Sequence, residues 1–207
     1  MNIGIIGTGN MGGTIGQGWA AAGHKILFGS RDPKKGAELA KSAGPNAKSG
    51  SYKEAVAFGD VVLLATPWHS TPEAIKAADS FRGKILIDCT NPLLQDLSGL
   101  AVGYTTSSGE MVAEWAKGAR VVKAFNSIGF AHIANPKFGS HNADGYFCGD
   151  DDASKKVAAQ LIKDLRLEPV DCGPLKNARL LEPLAMLWIY LAYNKGATNT
   201  AWKLIKR

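Results

Sequence analysis

Short, mainly apolar runs alternate along the chain with segments whose apolar residues recur every three or four positions. Asn2 to Ile6, Lys25 to Phe28, Val61 to Ala65, Lys84 to Asp88 and Arg120 to Phe125 have the length and β-branched content of buried strands. Met11 to Ala22, Pro33 to Ala43, Ser51 to Phe58, Thr71 to Ser80 and Ser107 to Ala116 fill the gaps as helices. Gly23 ends the first of these, and Pro33 and Gly44 bracket the second as a first-turn proline and a terminal glycine. Ser107 and Glu110 have capping-box spacing. Strands that are apolar on both faces and separated by helices predict a parallel sheet covered on both sides, the doubly wound α/β arrangement.

The alternation continues with Gly145 to Cys148, a helix from Ala153 to Leu165, and Glu168 to Asp171. Asp150, Asp151 and Asp152 precede that helix. No His or Glu cluster joins them, so they read as N-terminal caps rather than as a metal site. Leu180 to Tyr193 is apolar almost all round and must be buried, either on the sheet or against a second subunit. The organisation expected is therefore a doubly wound α/β unit over residues 1–175 and a helical extension over 176–207, packed on the same unit or at a dimer interface.

Composition narrows the class. A chain of 207 residues with 45% hydrophobic and 20% charged residues can bury a full core without disulfide or metal staples. The balance of 24 basic against 18 acidic residues, +6, favours anionic partners such as nucleotides, nucleic acid or acidic substrates without choosing among them. No nucleic-acid module and no long basic stripe accompany it. Cys89, Cys148 and Cys172 are odd in number and far apart, which suggests reduced thiols in a cytoplasmic protein. No secretory leader pattern is present, and no apolar run reaches the roughly 20 residues that span a bilayer. A soluble protein with no membrane partner is expected.

Candidate chemistry begins at the first strand's end. Gly7, Thr8, Gly9, Asn10, Met11 and Gly12 form a G-x-G-x-x-G fingerprint between a strand and a helix. The first glycine permits the turn, the second lets a pyrophosphate approach, and the third lets helix and strand pack closely. The end of the second strand selects the cofactor. An NAD site would place an acid there, whereas this chain has Ser30 and Arg31, with Lys35 further on. These residues suit a 2′-phosphate and so NADP(H), while Asp32 falls at a helix-capping position. Further strand ends should line the same crevice with Thr66 and Pro67, Asn91 and Pro92, and Asn126, Ser127 and Ile128. His24 reads as structural, His69 as the crevice histidine, and His132 and His141 fall in an irregular stretch. No catalytic dyad or metal motif is expected. Hydride transfer between two stacked ring cofactors can proceed by positioning alone.

Several blocks carry a resemblance: IGIIGTGNMG, GSRDPKK, DCTNPL, SSGEMVAEWAKGARVVKAFNS, CGDD and VDCGPLKNARLLEPLAMLWIYLA. Over almost its whole length the chain resembles the NADPH-dependent reductases of the deazaflavin coenzyme F420. The resemblance implies a Rossmann-type doubly wound, mainly parallel sheet of about eight strands, with a C-terminal helical extension that helps to form a homodimer. It implies reversible hydride transfer between nicotinamide C4 and deazaflavin C5. Thr8 to Met11 would hold the pyrophosphate, and Ser30, Arg31 and Lys35 the 2′-phosphate. Thr66, Pro67, Asn91 and Pro92 would border the nicotinamide, and Asn126, Ser127 and Ile128 the acceptor. One departure is the VVKAFN run, where archaeal members carry a histidine near Asn126. That leaves a flavin in place of the deazaflavin, as in ferric reductases, as the alternative acceptor. Two further alternatives are a small-substrate dehydrogenase, for which the C-terminal remainder is short, and an NADP(H)-binding redox-sensing module.

Overall fold

The computed structural model describes residues 1–205 and 207. Its first half repeats strand and helix: β1 (Asn2–Ile6), α1 (Asn10–Ala21), β2 (Lys25–Gly29), α2 (Pro33–Ala43), β3 (Ala47–Gly50), α3 (Tyr52–Phe58), β4 (Val61–Leu64), α4 (Thr71–Ala78) and β5 (Ile85–Asp88). After a long loop come α5 (Ser108–Trp115), β6 (Arg120–Ala124), α6 (Phe130–Ala134), β7 (Lys137–Phe138), β8 (His141–Asn142), β9 (Asp144–Gly149), α7 (Asp152–Asp164), β10 (Glu168–Asp171) and α8 (Ala178–Lys195).

Eight strands form one sheet in the order β10-β9-β6-β5-β4-β1-β2-β3. Every neighbouring pair is parallel except β6 with β9. The expected Rossmann-type sheet is therefore present. Its strand order reverses between β1 and β4, and at such a switch point the flanking loops part to leave a crevice.

The sheet is covered on both faces because its central strands are apolar at successive positions. Val61 and Leu63 of β4 join a core with Ile3, Ile5, Trp19, Phe28 and Leu161. Val62 and Leu64 join the opposite core with Ile6, Ile75, Leu86 and Val112. Each such side chain contributes about 1.5–3 kcal/mol by leaving water. Trp19, the largest, also satisfies its ring N–H on the carbonyl of Leu161 at 2.9 Å.

Local signals place the helix ends. Asp32 caps α2 by accepting from the backbone N–H groups of Lys34 and Lys35. Ser51 and Glu54 close a reciprocal capping box on α3. Asp151 accepts from Ser154 at the start of α7, while Asp150 accepts from the Leu175 N–H at 2.9 Å. His24 is structural, with its Nε2 2.8 Å from Asp164.

Three elements depart from the sequence expectation. β3 carries Ala-Lys-Ser-Gly, which has no apolar signature because it is an edge strand: Lys48 and Ser49 are exposed, and Ala47 alone packs against the core. The stretch around His132 and His141 is not irregular throughout: it holds α6 and the two-residue hairpin β7–β8. Finally, α8 buries Ala178, Leu181, Glu182, Ala185 and Ala192 but leaves Leu180, Leu187, Tyr190 and Tyr193 exposed. The helix is apolar nearly all round, and a single chain supplies a partner for only one side.

Candidate functional site

Three adjoining depressions cross the carboxyl ends of β1, β2, β4, β5 and β6. The first, about 450 Å³, is lined by Gly7, Thr8, Gly9, Ser30, Arg31, Lys35, Thr66 and Pro67, together with Asp32, Tyr52 and Ser70. The second, about 610 Å³, shares Gly9, Thr66 and Pro67 with the first and adds Asn10, Met11, Trp68, His69, Thr90 and Asn91. The third, about 380 Å³, shares Met11, Cys89 and Asn91 with the second and adds Asn126, Ile128, Trp188 and Ala192. One crevice thus runs from an exposed basic end to an apolar end.

The glycine loop explains its own spacing. Gly7 has φ +107°, and a Cβ there would strike the backbone of Ala65. A Cβ on Gly12 would collide with the Gly7 carbonyl, so α1 can start close to β1 only with glycine at this position. Gly9 faces open space, which leaves the loop backbone approachable from the crevice. The first N–H groups of α1 lie at this loop, where a helix N-terminus favours an anion. Thr8 Oγ1 lies 3.3 Å from Ser30 Oγ and ties the loop to the end of β2. Arg31 and Lys35 are exposed and form no ion pair among the described residues. Asp32 turns its Oδ1 into the α2 cap instead.

The apolar end is built on two strand termini. Phe125 adopts φ +63° directly after β6, a conformation rare for a side-chain-bearing residue. Next to it, Asn126 Nδ2 donates to Asn91 Oδ1 at 3.1 Å and to the Leu181 carbonyl at 3.1 Å. Asn91 Nδ2 returns a bond to the Asn126 carbonyl at 2.8 Å. Thr66 Oγ1 lies 2.9 Å from Thr71 Oγ1, and Thr71 Oγ1 donates to the Pro67 carbonyl, fixing the turn after β4. Trp68 stacks on Trp115 at 5.2 Å. Burial, and then Asp88, push the Cys89 thiol up to about 12, so it stays a neutral thiol at the crevice floor.

Gly12, Pro92 and Ser127 lie beneath the surface and support the lining rather than form it. The Pro92 carbonyl accepts from the Ala101 N–H at 2.6 Å and anchors the loop after β5. That loop supplies Leu93 and Leu97, and α8 supplies Trp188 and Tyr193, to the apolar end. Sequence reasoning missed these four because Leu93 and Leu97 come from a loop without periodicity, and Trp188 and Tyr193 from a helix far away in sequence. His69 is exposed at the crevice.

A buried charge cluster behind the crevice was also missed. Lys123, Asp88 and Glu182 are each fully buried. Lys123 Nζ donates to Asp88 Oδ2 at 2.9 Å, the Thr90 carbonyl at 2.6 Å and Ser108 Oγ at 2.7 Å, and lies 3.0 Å from Glu182 Oε1. Burial opposes its charge, yet Asp88 and Glu182 outweigh that opposition and raise its pKa. The available signal was one lysine inside an apolar strand and one glutamate inside an apolar helix.

The family described as NADP oxidoreductase, coenzyme F420-dependent, matches residues 2–92. An F420-dependent NADP reductase of Methanocaldococcus jannaschii is 31% identical, across 94% of this chain and 96% of that protein. One from Methanothermobacter thermautotrophicus is 29% identical, across 99% of this chain and 94% of that protein. Metalloreductase STEAP3 of Rattus norvegicus is 30% identical across 89% of this chain but only 37% of that protein. Among solved structures, a proposed F420-dependent NADP reductase from an Arthrobacter species superposes with a TM-score of 0.90 at 29% identity, over the full length of both chains. A reductive aminase from Aspergillus terreus shares the fold at a TM-score of 0.70 and 18% identity, and this chain spans 62% of it. The glycine loop, the strand ends and the near-full-length similarity agree: the chain belongs to the family of F420-dependent NADP reductases.

Proposed function

We propose that the protein transfers a hydride between NADP(H) and the deazaflavin coenzyme F420 along this crevice. The observation that carries the reading is the crevice's polarity, with two uncompensated basic side chains at one end and an apolar pocket at the other. The loop Gly7 to Gly12 holds the pyrophosphate, with Thr8, Asn10 and Met11 flanking it. Ser30, Arg31 and Lys35 hold the 2′-phosphate. Thr66, Pro67 and Asn91 border the nicotinamide, with Pro92 supporting them from beneath, and Asn126 and Ile128 border the acceptor, with Ser127 supporting them from beneath.

When bound, the two cofactors would supply the redox chemistry, the transfer of a hydride between nicotinamide C4 and deazaflavin C5 with one proton exchanged with water. The chain's residues position and desolvate. Trp188, Leu93 and Ile128 exclude water from the acceptor end, and the interlocked Asn91 and Asn126 set its wall. Such positioning can supply several kcal/mol of barrier lowering without an acid or base.

Anaerobic mixing of the protein, NADPH and oxidised coenzyme F420 should bleach both chromophores in equal molar amounts. The similarity to metalloreductase STEAP3 favours a flavin or ferric acceptor as the second reading. Turnover with a free flavin and none with the deazaflavin would select it.

The exposed apolar row on α8 supports a homodimer formed through that helix, with residues 176–207 acting as the dimerisation extension of the nucleotide-binding unit 1–175. No described helix is long and apolar enough to cross a membrane. The three free cysteines, two of them buried, fit a reducing cytoplasm.

A further inference from the structure

The cluster of Lys123, Asp88 and Glu182 joins four elements that are separate in sequence. Asp88 ends β5, Lys123 lies in β6, Ser108 opens α5 and Glu182 comes from α8. Besides gripping Asp88, Lys123 holds the Thr90 carbonyl in the turn that presents Asn91. Asp88 Oδ1 accepts from the Thr90 N–H at 2.9 Å, so the same turn is held from both sides.

Glu182 is bound at the other pole. It accepts from the Ser108 N–H at 3.0 Å, the Gly109 N–H at 3.1 Å and the Ser108 hydroxyl at 2.7 Å. Formally, two carboxylates face one ammonium. The surplus negative charge sits against the first N–H groups of α5, where a helix terminus favours it. The residue before Glu182 supplies the carbonyl that receives Asn126 Nδ2. Two turns further on, α8 carries Trp188 over the apolar end of the crevice.

We propose that Glu182 and Lys123 are positioning residues for the acceptor: their buried contact clamps α8 to the ends of β5 and β6 and thereby sets the acceptor wall, while the basic end of the crevice stands apart from it. The proposal rests on the hydride-transfer reading for its kinetic arm only. A second link between α8 and α5 exists at the surface, where Arg179 pairs with Glu110 at 2.7 Å. That link does not touch the crevice turn and separates a clamp at the site from mere tethering of the helix.

The test uses the full chain with Glu182→Gln, which keeps the side chain's shape and leaves Lys123 and Asp88 as a balanced pair. Ser108→Ala is the milder second variant and carries the test if Glu182→Gln does not fold. Hydrogen–deuterium exchange should quicken in residues 178–195 and in the Asp88 to Pro92 turn, and stay unchanged in β1, β2 and α1. The NADPH dissociation constant should stay within about twofold. The KM for coenzyme F420 should rise about tenfold, with a smaller loss in kcat. Arg179→Ala should leave that KM unaltered.

Unchanged exchange in α8 and the turn overturns the clamp, whether or not the wild-type protein reduces the deazaflavin. Quickened exchange with an unchanged acceptor KM, or an equal KM rise in Arg179→Ala, overturns the positioning role. Absence of any turnover in the wild-type protein would count against the functional reading and leave the exchange experiment to judge the clamp.

Discussion

Asn91 and Asn126 exchange hydrogen bonds across the ends of β5 and β6: Asn91 donates to the Asn126 carbonyl at 2.8 Å, and Asn126 donates to the Asn91 side-chain oxygen at 3.1 Å. Both face the apolar end of the crevice, so the wall between its middle and apolar parts is a locked pair rather than two free amides. Replacing Asn126 by Ala strands the Leu181 carbonyl and the Asn91 oxygen. The expected cost is about 1–3 kcal/mol of stability, read by denaturant unfolding. Acceptor turnover should fall at least about tenfold beyond that. Full stability together with full turnover would dismiss the pair as a determinant of the wall.

Gly9 and Gly12 should respond differently to the same added methyl. Gly12→Ala drives a Cβ into the Gly7 carbonyl and should destabilise the fold by about 1–3 kcal/mol. Gly9→Ala meets nothing and should keep the melting temperature of the parent, yet weaken NADPH binding by placing a methyl where the pyrophosphate is proposed to approach. Thermal melts and NADPH titrations of the two variants check this. Unaltered NADPH affinity in Gly9→Ala would remove the loop from the cofactor site.

Arg31→Glu should discriminate between the two nicotinamide cofactors. NADPH affinity should fall about a hundredfold, or about 2.7 kcal/mol, while NADH affinity changes little. Because Arg31 is exposed, the wild-type preference should also shrink as salt is raised. Equal losses for both cofactors would displace the 2′-phosphate from Arg31.

The Glu110–Arg179 pair gives a signed pH dependence. The Arg179 hydrogen bond, helped by the Ser107 hydroxyl, holds Glu110 below the usual glutamate range. A lowered folded-state pKa gives stability that is complete above the unfolded value of about 4.3 and is lost as pH falls through the folded value. The pair is partly exposed, so the effect is about 1 kcal/mol or less. Unfolding free energies measured from pH 7 down to pH 3 should fall less steeply in Glu110→Gln. A parallel pair of curves would show that the contact is energetically silent.

The outward face of α8 predicts an assembly. Leu187→Asp places a charge in the middle of the exposed apolar row and should convert the proposed dimer to monomer in sedimentation velocity, with the melt of the folded unit little altered. A wild-type protein that already sediments as a monomer would leave that face without its proposed partner.

What could be read in advance follows from how local the governing physics is. The strands β1, β4, β5 and β6 announce themselves because burial on both faces demands apolar residues at successive positions. β3 does not, because Lys48 and Ser49 of this edge strand face water and its pairing with β2 is made by backbone alone. The glycine loop was legible because a turn, an open approach and a close helix contact each exclude a Cβ or leave it no role within six consecutive residues. The basic end was legible in the same way, since Ser30, Arg31 and Lys35 are brought together by one strand end and the helix that follows it.

The sequence by itself determined the alternating fold, the glycine loop and the residues offered at each strand end, because helix and strand periods, caps and turns act between near neighbours. Only the tertiary structure decided how the crevice closes. Lys123, Asp88 and Glu182 meet across β6, β5 and α8, and Trp188 and Tyr193 reach the apolar end from the C-terminal helix. A lone lysine in an apolar strand states that a buried charge needs a partner. It does not say which one, because the partners, Asp88 35 residues before it and Glu182 59 residues after it, are chosen by the packing of separate elements.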